Sequence, residues 1–317
     1  MTTARYLLGR LAYGLLLLAG VTFLSFLLMV KYGPDRTYQM LGKNPTAEQI
    51  TEVRHQLGYD RPFLARYAEF LGELARLDLG RSESSGEPVR SLLGRTLPIT
   101  LLLVLPGFVL GNLLGIALGL AAAWYRGAWL DRLIMAGSMV GLSISFLVIV
   151  ILLQIVLCTP YGLNIFPARG WQVEGLASYV QYVTVPTLAL VLVTLGYNTR
   201  FYRAVMVEEM GRDHIRTVRA FGGGAGTILF RHVLKNSMVP VLTRILFSIP
   251  MVLVSGSLLL ETYFGIPGVG RATFDAITNG DQPTLKAVVS LTAALFVLLQ
   301  VAADLLYRVF DPRVATP

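Results

Sequence analysis

The chain has 317 residues, a net charge of +8, and 54% hydrophobic against 15% charged residues. A soluble domain carries charge at about one residue in four, so the composition excludes an ordinary water-soluble fold. The basic residues gather in particular loops, which is a pattern of membrane topology and not a nucleic-acid footprint. The single cysteine, Cys158, excludes an internal disulfide, and His55, His214 and His232 fall in separate segments, so no Cys/His metal cluster is expected.

Six stretches approach the roughly 20 apolar residues that cross a hydrocarbon core, so an all-α, polytopic membrane protein is expected. The first runs Leu7–Val30. Arg5 and Arg10 stand at its start as in a signal peptide, but it is long and no small-residue cleavage site follows, so it reads as a retained helix. Residues 31–96 read as a helical insertion, giving three parts: 1–30, 31–96 and 97–317. Thr46-Ala-Glu-Gln49 fits a capping box, with a helix running on to Leu57 and ended by Gly58. Asp60-Arg-Pro62 starts another, on which Phe63, Tyr67, Phe70, Leu71 and Leu74 share a face. That stripe needs a partner: the rest of the subdomain, the membrane edge, other helices or a docking protein. Residues 82–88, SESSGEP, form a turn, and Pro88 opens a short helix leading into the second span.

The second span, Leu97–Ala123, carries Gly107, Gly111, Gly115 and Gly119 at every fourth position. This is a groove into which a neighbouring helix can pack closely, either as a fixed contact or as one that slides or rocks. Gly137 and Gly141 repeat the idea in the third span, Leu133–Leu157. The fourth covers Tyr182–Tyr197 and extends beyond the membrane to Val205. The fifth runs Val239–Leu260 and the sixth Ala287–Tyr307. Pro106, Pro186 and Pro250 favour bends in spans two, four and five.

Lysine and arginine counts set the orientation. With both termini cytoplasmic, segments 1–10, 124–132, 198–238 and 308–317 hold thirteen basic residues, against three in 158–181 and 261–286. Residues 31–96, nearly neutral and too long for the rule, then lie on the extracytoplasmic side. Apart from Arg10 at the start of the first, Arg244 and Asp304 are the charges inside the spans, and Asn112, Gln154 and Gln300 are neutral. An ion-coupled secondary carrier, the rival class, calls for internal repeats and midplane carboxylates. No GxxxxGK[ST] phosphate loop occurs, so energy is expected from outside the chain. A few amides and hydroxyls, Ser143, Ser145, Gln154, Asn198, Ser248, Ser255 and Ser257, are candidates to line an otherwise apolar path.

The cytoplasmic loop 198–238 is the most informative segment. Asp213–Phe221 is expected to form a short helix with Ile215, Val218 and Phe221 on one face and Arg212, Arg216 and Arg219 on another. Gly222-Gly-Gly224 ends it, and a second helix resumes near Thr227, bringing His232, Lys235 and Asn236 ahead of the fifth span. Two readings stand. The helix can lie on lipid with its arginines on anionic headgroups. Or it can be a knob in the cleft of a cytoplasmic motor, the apolar face seated and the arginines paired with acids on the rim.

The loop resembles the coupling region of permeases from bacterial binding-protein-dependent ABC importers, in particular the first permease of the dipeptide/oligopeptide/nickel group. That group reads roughly D-Y-[VI]-x-x-A-R-A-K-G and then H-x-L-R-N-x-x-x-P. Asp213, Ile215, Arg219, Ala220, Gly222, His232, Leu234, Asn236 and Pro240 match, while His214, Val218 and Phe221 replace tyrosine, alanine and lysine. Similar stretches run the length of the chain: Leu57-Gly-Tyr-Asp-Arg-Pro62, Asp78-Leu-Gly-Arg-Ser82, Pro88-Val89, Leu97-Pro98, Glu261 to Arg271, Asp281, Pro283, Asp304, Tyr307 and Asp311-Pro-Arg313.

The resemblance implies the type I ABC importer fold, with six transmembrane helices, in the bacterial inner membrane. It implies a homologous second permease, two cytoplasmic ATP-binding subunits that hold ATP and magnesium, and an extracytoplasmic solute-binding protein. The chain itself is then neither an enzyme nor a cofactor binder, and its partners besides these are lipid and not nucleic acid. Arg212, Asp213, His214, Ile215, Arg216, Val218, Arg219, Ala220, Phe221, Gly222, His232 and Asn236 would couple to the ATPase. Tyr263, Phe264, Gly265, Ile266, Pro267, Gly268, Gly270 and Arg271 would receive the binding protein. Di- or oligopeptides are the solute of first choice, with nickel chelates, opines and oligosaccharides as alternatives.

Overall fold

A computed structural model describes residues 3–32, 37, 41, 45–56 and 59–310. Among the described residues the regular structure is helical, joined by turns and loops, with one isolated β-bridge, Arg81 to Pro88. Helix α1 is Thr3–Tyr32, α2 Ala47–Gln56, α3 Phe63–Ala75, α4 Val89–Trp124, α5 Trp129–Ser143, α6 Phe146–Cys158 and α7 Leu176–Met210. They are followed by α8 Asp213–Ala220, α9 Lys235–Met251, α10 Ser257–Phe264, α11 Val269–Asn279 and α12 Gln282–Phe310. Two π turns, Thr227–Leu234 and Val252–Gly256, flank α9.

Among the described residues, five helical stretches are long and apolar enough to cross a membrane: 12–32, 89–124, 176–210, 227–264 and 282–303. The expected third span is not one rod. It is α5 and α6 joined at a 97° bend, and counts as a sixth crossing only as a broken one. The break is local. Ile144 and Ser145 are extended, the Ser143 hydroxyl donates to the Met139 carbonyl 2.9 Å away, and serine hydroxyls compete with the helical ladder. A groove of about 500 Å³ in this region is lined by Gly137, Gly141, Ile149, Leu153, Leu192 and Gly196.

The chain divides into two compact units. The smaller comprises the chain up to Arg95 with Thr273–Val297, and the larger Thr96–Ala272 with the chain from Leu298. In the smaller unit, Thr46 and Gln49 exchange the two hydrogen bonds of a capping box, at 3.0 and 3.4 Å. The expected end of that helix at Leu57 and Gly58 lies outside the described residues, as does Asp311-Pro-Arg313. The aromatic stripe of α3 packs on the first span. Phe63 meets Phe23 edge-on at 5.5 Å, Phe70 stacks on Phe26 at 5.5 Å, and the Tyr67 hydroxyl donates to the Ala19 carbonyl at 2.7 Å. Of the partners open to the stripe, it meets another helix, the first span, which lies outside residues 31–96.

Residues 82–88 close a tight turn, with the Ser82 N–H donating to the Glu87 carbonyl at 2.8 Å and Gly86 at φ +70°. The turn is fastened to the start of α12. The Ser82 and Ser84 hydroxyls donate to Asp281 Oδ2 at 2.5 and 3.0 Å, and the Thr284 hydroxyl does so at 2.9 Å. Asp281 thereby also caps α12, its side chain accepting from the Thr284 N–H at 3.3 Å. Burial pushes the Asp281 carboxyl upward, but hydrogen bonds from Ser82, the Glu83 N–H and Thr284 outweigh it and hold the group below its ordinary 3.8.

In the larger unit the four glycines of α4 lie against α7. A Cβ added at Gly107, Gly111, Gly115 or Gly119 would lie 2.8, 2.9, 3.3 or 2.9 Å from the Cβ of Leu190, Thr194, Asn198 or Tyr202. Both helices thus present every fourth residue to one seam, and absent side chains on one side admit whole side chains from the other. Polar groups fix its register: Asn112 Oδ1 accepts from Asn198 Nδ2 at 2.8 Å and from the Tyr202 hydroxyl at 2.7 Å. Such a fastening suits a fixed contact better than a sliding one. Pro106 cannot donate to the Leu102 carbonyl, and the Tyr179 hydroxyl does so instead, at 2.8 Å. Nearby, Arg203 grips Asp131 with two bonds, Nε to Oδ1 at 2.5 Å and Nη2 to Oδ2 at 2.6 Å.

The seam makes a graded prediction. Gly119→Val brings side-chain atoms onto Tyr202 and the Arg203 backbone and is expected to destabilise the protein by about 1–3 kcal/mol. Gly137→Ala meets nothing within 4 Å and should leave stability unchanged. Thermal unfolding in detergent reads both, and equal melting temperatures for the two variants would contradict the close fit.

Candidate functional site

Helix α7 runs without interruption from Leu176 to Met210, and α8 begins three residues later. Gly211 closes the first and Arg212, in extended conformation, opens the second. The side chain that organises this junction is Glu209, which is only 4% exposed. Its Oε1 accepts from Asn236 Nδ2 at 2.9 Å and lies 3.2 Å from His214 Nε2, and its Oε2 lies 3.0 Å from Arg212 Nε. A second contact joins His214 Nε2 to Asn236 Nδ2 at 3.2 Å. One buried carboxylate therefore ties the last turn of α7, the first turn of α8 and the start of α9.

The apolar face of α8 turns inward. Ile215 is fully buried among Leu120, Tyr202, Met206, Ile228, Val233 and Val241, with Val218 at the edge of the cluster. This corrects the expectation that Ile215 and Val218 form a surface seated in another protein: they anchor α8 to its own chain. What α8 shows to the outside is Arg212, Asp213, Arg216, Arg219, Ala220 and Phe221, the last 87% exposed. Arg216 and Asp213 pair across one turn at 3.3 Å. The Arg219 guanidinium lies 6.0 Å from the centre of the Trp124 ring. Gly222 ends α8 at φ +75°, in the left-handed region that glycine tolerates best. His232 is half-buried in the π turn that follows.

The second cluster surrounds Glu261, fully buried on α10. Its carboxylate accepts the Thr100 hydroxyl at 2.6 Å, the Arg271 N–H at 3.0 Å and the Gly270 N–H. The two N–H groups belong to the first turn of α11, where a helix exposes donors and favours an anion. Thr100 Oγ1 accepts in turn from the Val269 N–H at 2.8 Å. Gly268 lies so close to the carboxylate that a Cβ there would overlap it.

The turn-rich sequence is thus explained, and the outer candidates sort themselves. Phe264, Ile266, Gly268 and Gly270 are buried and form the frame of the loop, while Tyr263, Gly265 and Pro267 are half-buried and Arg271 is exposed. Arg271 Nη1 donates to the Gly265 carbonyl at 2.9 Å.

Several of these groups have no signal in a single sequence. Glu209 stands one turn before the expected helix, but nothing local tells that it is buried. Glu261 finds Thr100 across 161 positions. Asn198 and Ser257, expected along a path, are buried, and Gln154 Nε2 is committed to the Ala168 carbonyl at 2.7 Å.

The family of binding-protein-dependent transport system inner membrane components matches residues 115–316, and the N-terminal family of the same membrane components matches residues 3–104. The chain belongs to this family. It is therefore a multi-pass protein of the bacterial inner membrane. It is 32% identical to a peptide transport system permease protein of Brucella abortus over 97% of this chain and 98% of the relative. It is 31% identical to the dipeptide transport system permease protein DppB of Lactococcus lactis over 98% and 99% of the two chains. The di/tripeptide transport system permease protein DppB of Pseudomonas aeruginosa is 31% identical over 93% and 94%.

Proposed function

We propose that this chain is one permease of an ATP-driven, binding-protein-dependent importer of di- or oligopeptides. Both termini lie in the cytoplasm. Two ATPases grip the outward face of α8, a second permease completes the path, and a solute-binding protein docks on the opposite side, at Tyr263–Arg271 and the insertion 31–96.

The observation that carries this reading is the Glu209 junction. A loop that merely joined two spans would not need a buried carboxylate binding three segments. A loop through which force passes needs such a fastening, because a displacement of α8 reaches α7 and α9 only through rigid contacts. Binding free energy released when the ATPases close becomes a shift between inward- and outward-facing states only if α8 cannot swivel alone. The peptide assignment follows the names of the relatives.

Deleting Asp213–Gly222 is expected to abolish solute-stimulated ATP hydrolysis in proteoliposomes that contain the complete complex and its binding protein, while the chain still inserts and assembles. Normal stimulation by the shortened permease would defeat the proposal.

A further inference from the structure

Arg244 is a charge on α9, inside the 227–264 crossing stretch, and the coupling and docking clusters do not use it. It is exposed on this chain. Its guanidinium lies over the Phe201 ring of α7, 5.6 Å from the centroid, and among the described residues no carboxylate pairs with it. The same outward surface carries Tyr197 one turn before Phe201 on α7, at 50% exposure, and Phe247 and Met251 after Arg244 on α9.

A bare guanidinium at membrane depth is costly, and such groups face water or protein and not lipid tails. Arg244 lies five residues inside the expected start of the fifth span at Val239, about 7.5 Å along the axis. The ring beneath it holds the planar group by one face, leaving the N–H edges that form two parallel bonds with a carboxylate.

We infer that Arg244, seated on Phe201, lines the aqueous translocation path and holds the α-carboxylate of the passing peptide. This rests on the peptide-importer reading and adds the contact by which a mostly apolar path carries a charged solute. Every free peptide bears that carboxylate, so the contact is indifferent to side-chain sequence. Being one group with no second built partner, it binds weakly enough to release.

The test uses the reconstituted full complex, otherwise free of reactive cysteines, with Arg244→Gln and Arg244→Cys variants. Trialanine and trialanine amide are each supplied at saturation of the binding protein. Arg244→Gln should take up trialanine about tenfold more slowly than the parent, the loss of one charge-assisted hydrogen-bonded contact, and should carry the amide at the parent's rate. Arg244→Cys should react with water-borne methanethiosulfonates in at least one nucleotide state. The aminoethyl adduct, which restores a cation, should recover trialanine uptake, and the sulfonatoethyl adduct should not.

A thiol silent in every nucleotide state places the residue against lipid or a neighbouring subunit and overturns the inference. So does an equal loss on both peptides, or recovery with an uncharged adduct of the same size. Thiol reactivity is read without solute. A parent complex that carried no peptide at all would therefore sink the importer reading separately from the exposure of Arg244 to water.

Discussion

Replacing Glu261 with alanine is expected to destabilise the larger unit by roughly 3 kcal/mol or more. The carboxylate is fully buried and satisfies the Thr100 hydroxyl and the Gly270 and Arg271 N–H groups in the first turn of α11. Removing it strands those donors away from water, at about 1–3 kcal/mol for each buried group left unpaired. The α11 end also loses its anion. Glu261→Gln keeps the volume and one acceptor oxygen but turns an amide N–H toward the helix end, so its loss should be intermediate. Thermal unfolding of the purified complex orders the three proteins. An alanine variant that melts with the parent would show that the carboxylate does not hold the loop. A second consequence should be lost response to the binding protein, because Tyr263, Pro267 and Arg271 are carried on the frame that Glu261 closes.

The second large effect concerns transmission and not stability. Glu209→Ala should leave the chain inserted and assembled, since Ile215 still anchors α8 in its apolar cluster. It should lower solute-stimulated ATP hydrolysis and uptake by at least about tenfold, because two charge-assisted contacts and one amide bond across the junction disappear together, each of about 1–3 kcal/mol. Basal hydrolysis by the ATPases should be unchanged. Glu209→Gln retains an acceptor for Asn236 but offers Arg212 nothing, and should fall between. Full stimulation in the alanine variant would mean that Ile215 alone carries the force, and the junction would lose its assigned role.

Much of this architecture was legible because membrane helices leave strong marks. The apolar stretches, the four-residue glycine period and the Thr46–Gln49 capping box are local patterns, and local patterns survive in a single sequence. The seam partner was not legible. Leu190, Thr194, Asn198 and Tyr202 keep the same period, but nothing about them distinguishes a buried face from an exposed one in a helix that is apolar nearly all round. The broken third span was missed for a related reason. Ser143-Ile-Ser145 interrupts neither hydropathy nor length, and only backbone geometry reveals the corner. The orientation of α8 was misjudged because an apolar stripe announces burial without naming what it is buried against. In this chain the permease's own helices supply the cover, and charge is left on the outside. The reach of Glu209 to Asn236 and of Glu261 to Thr100 was not legible because those partners come from distant segments.

Pro106 of α4 and Pro186 of α7 both stand at the top of the glycine seam, and this has a mechanical consequence. Pro106 withholds a bond from Leu102 just before the glycine ladder starts at Gly107, and Pro186 withholds one from Tyr182 just before that ladder's first contact at Thr187 and Leu190. Below that level the two rods are bolted together, down to the Asn112 fastening and the end nearest α8. Just above it each rod has a compliant turn at its proline, bridged by the hydroxyl of Tyr179, and Pro98 gives α4 a second one further up. A push at the Glu209 end is therefore delivered by a stiff double shaft, and flexure is left to the stretch above the seam, where paired rods become separate ones.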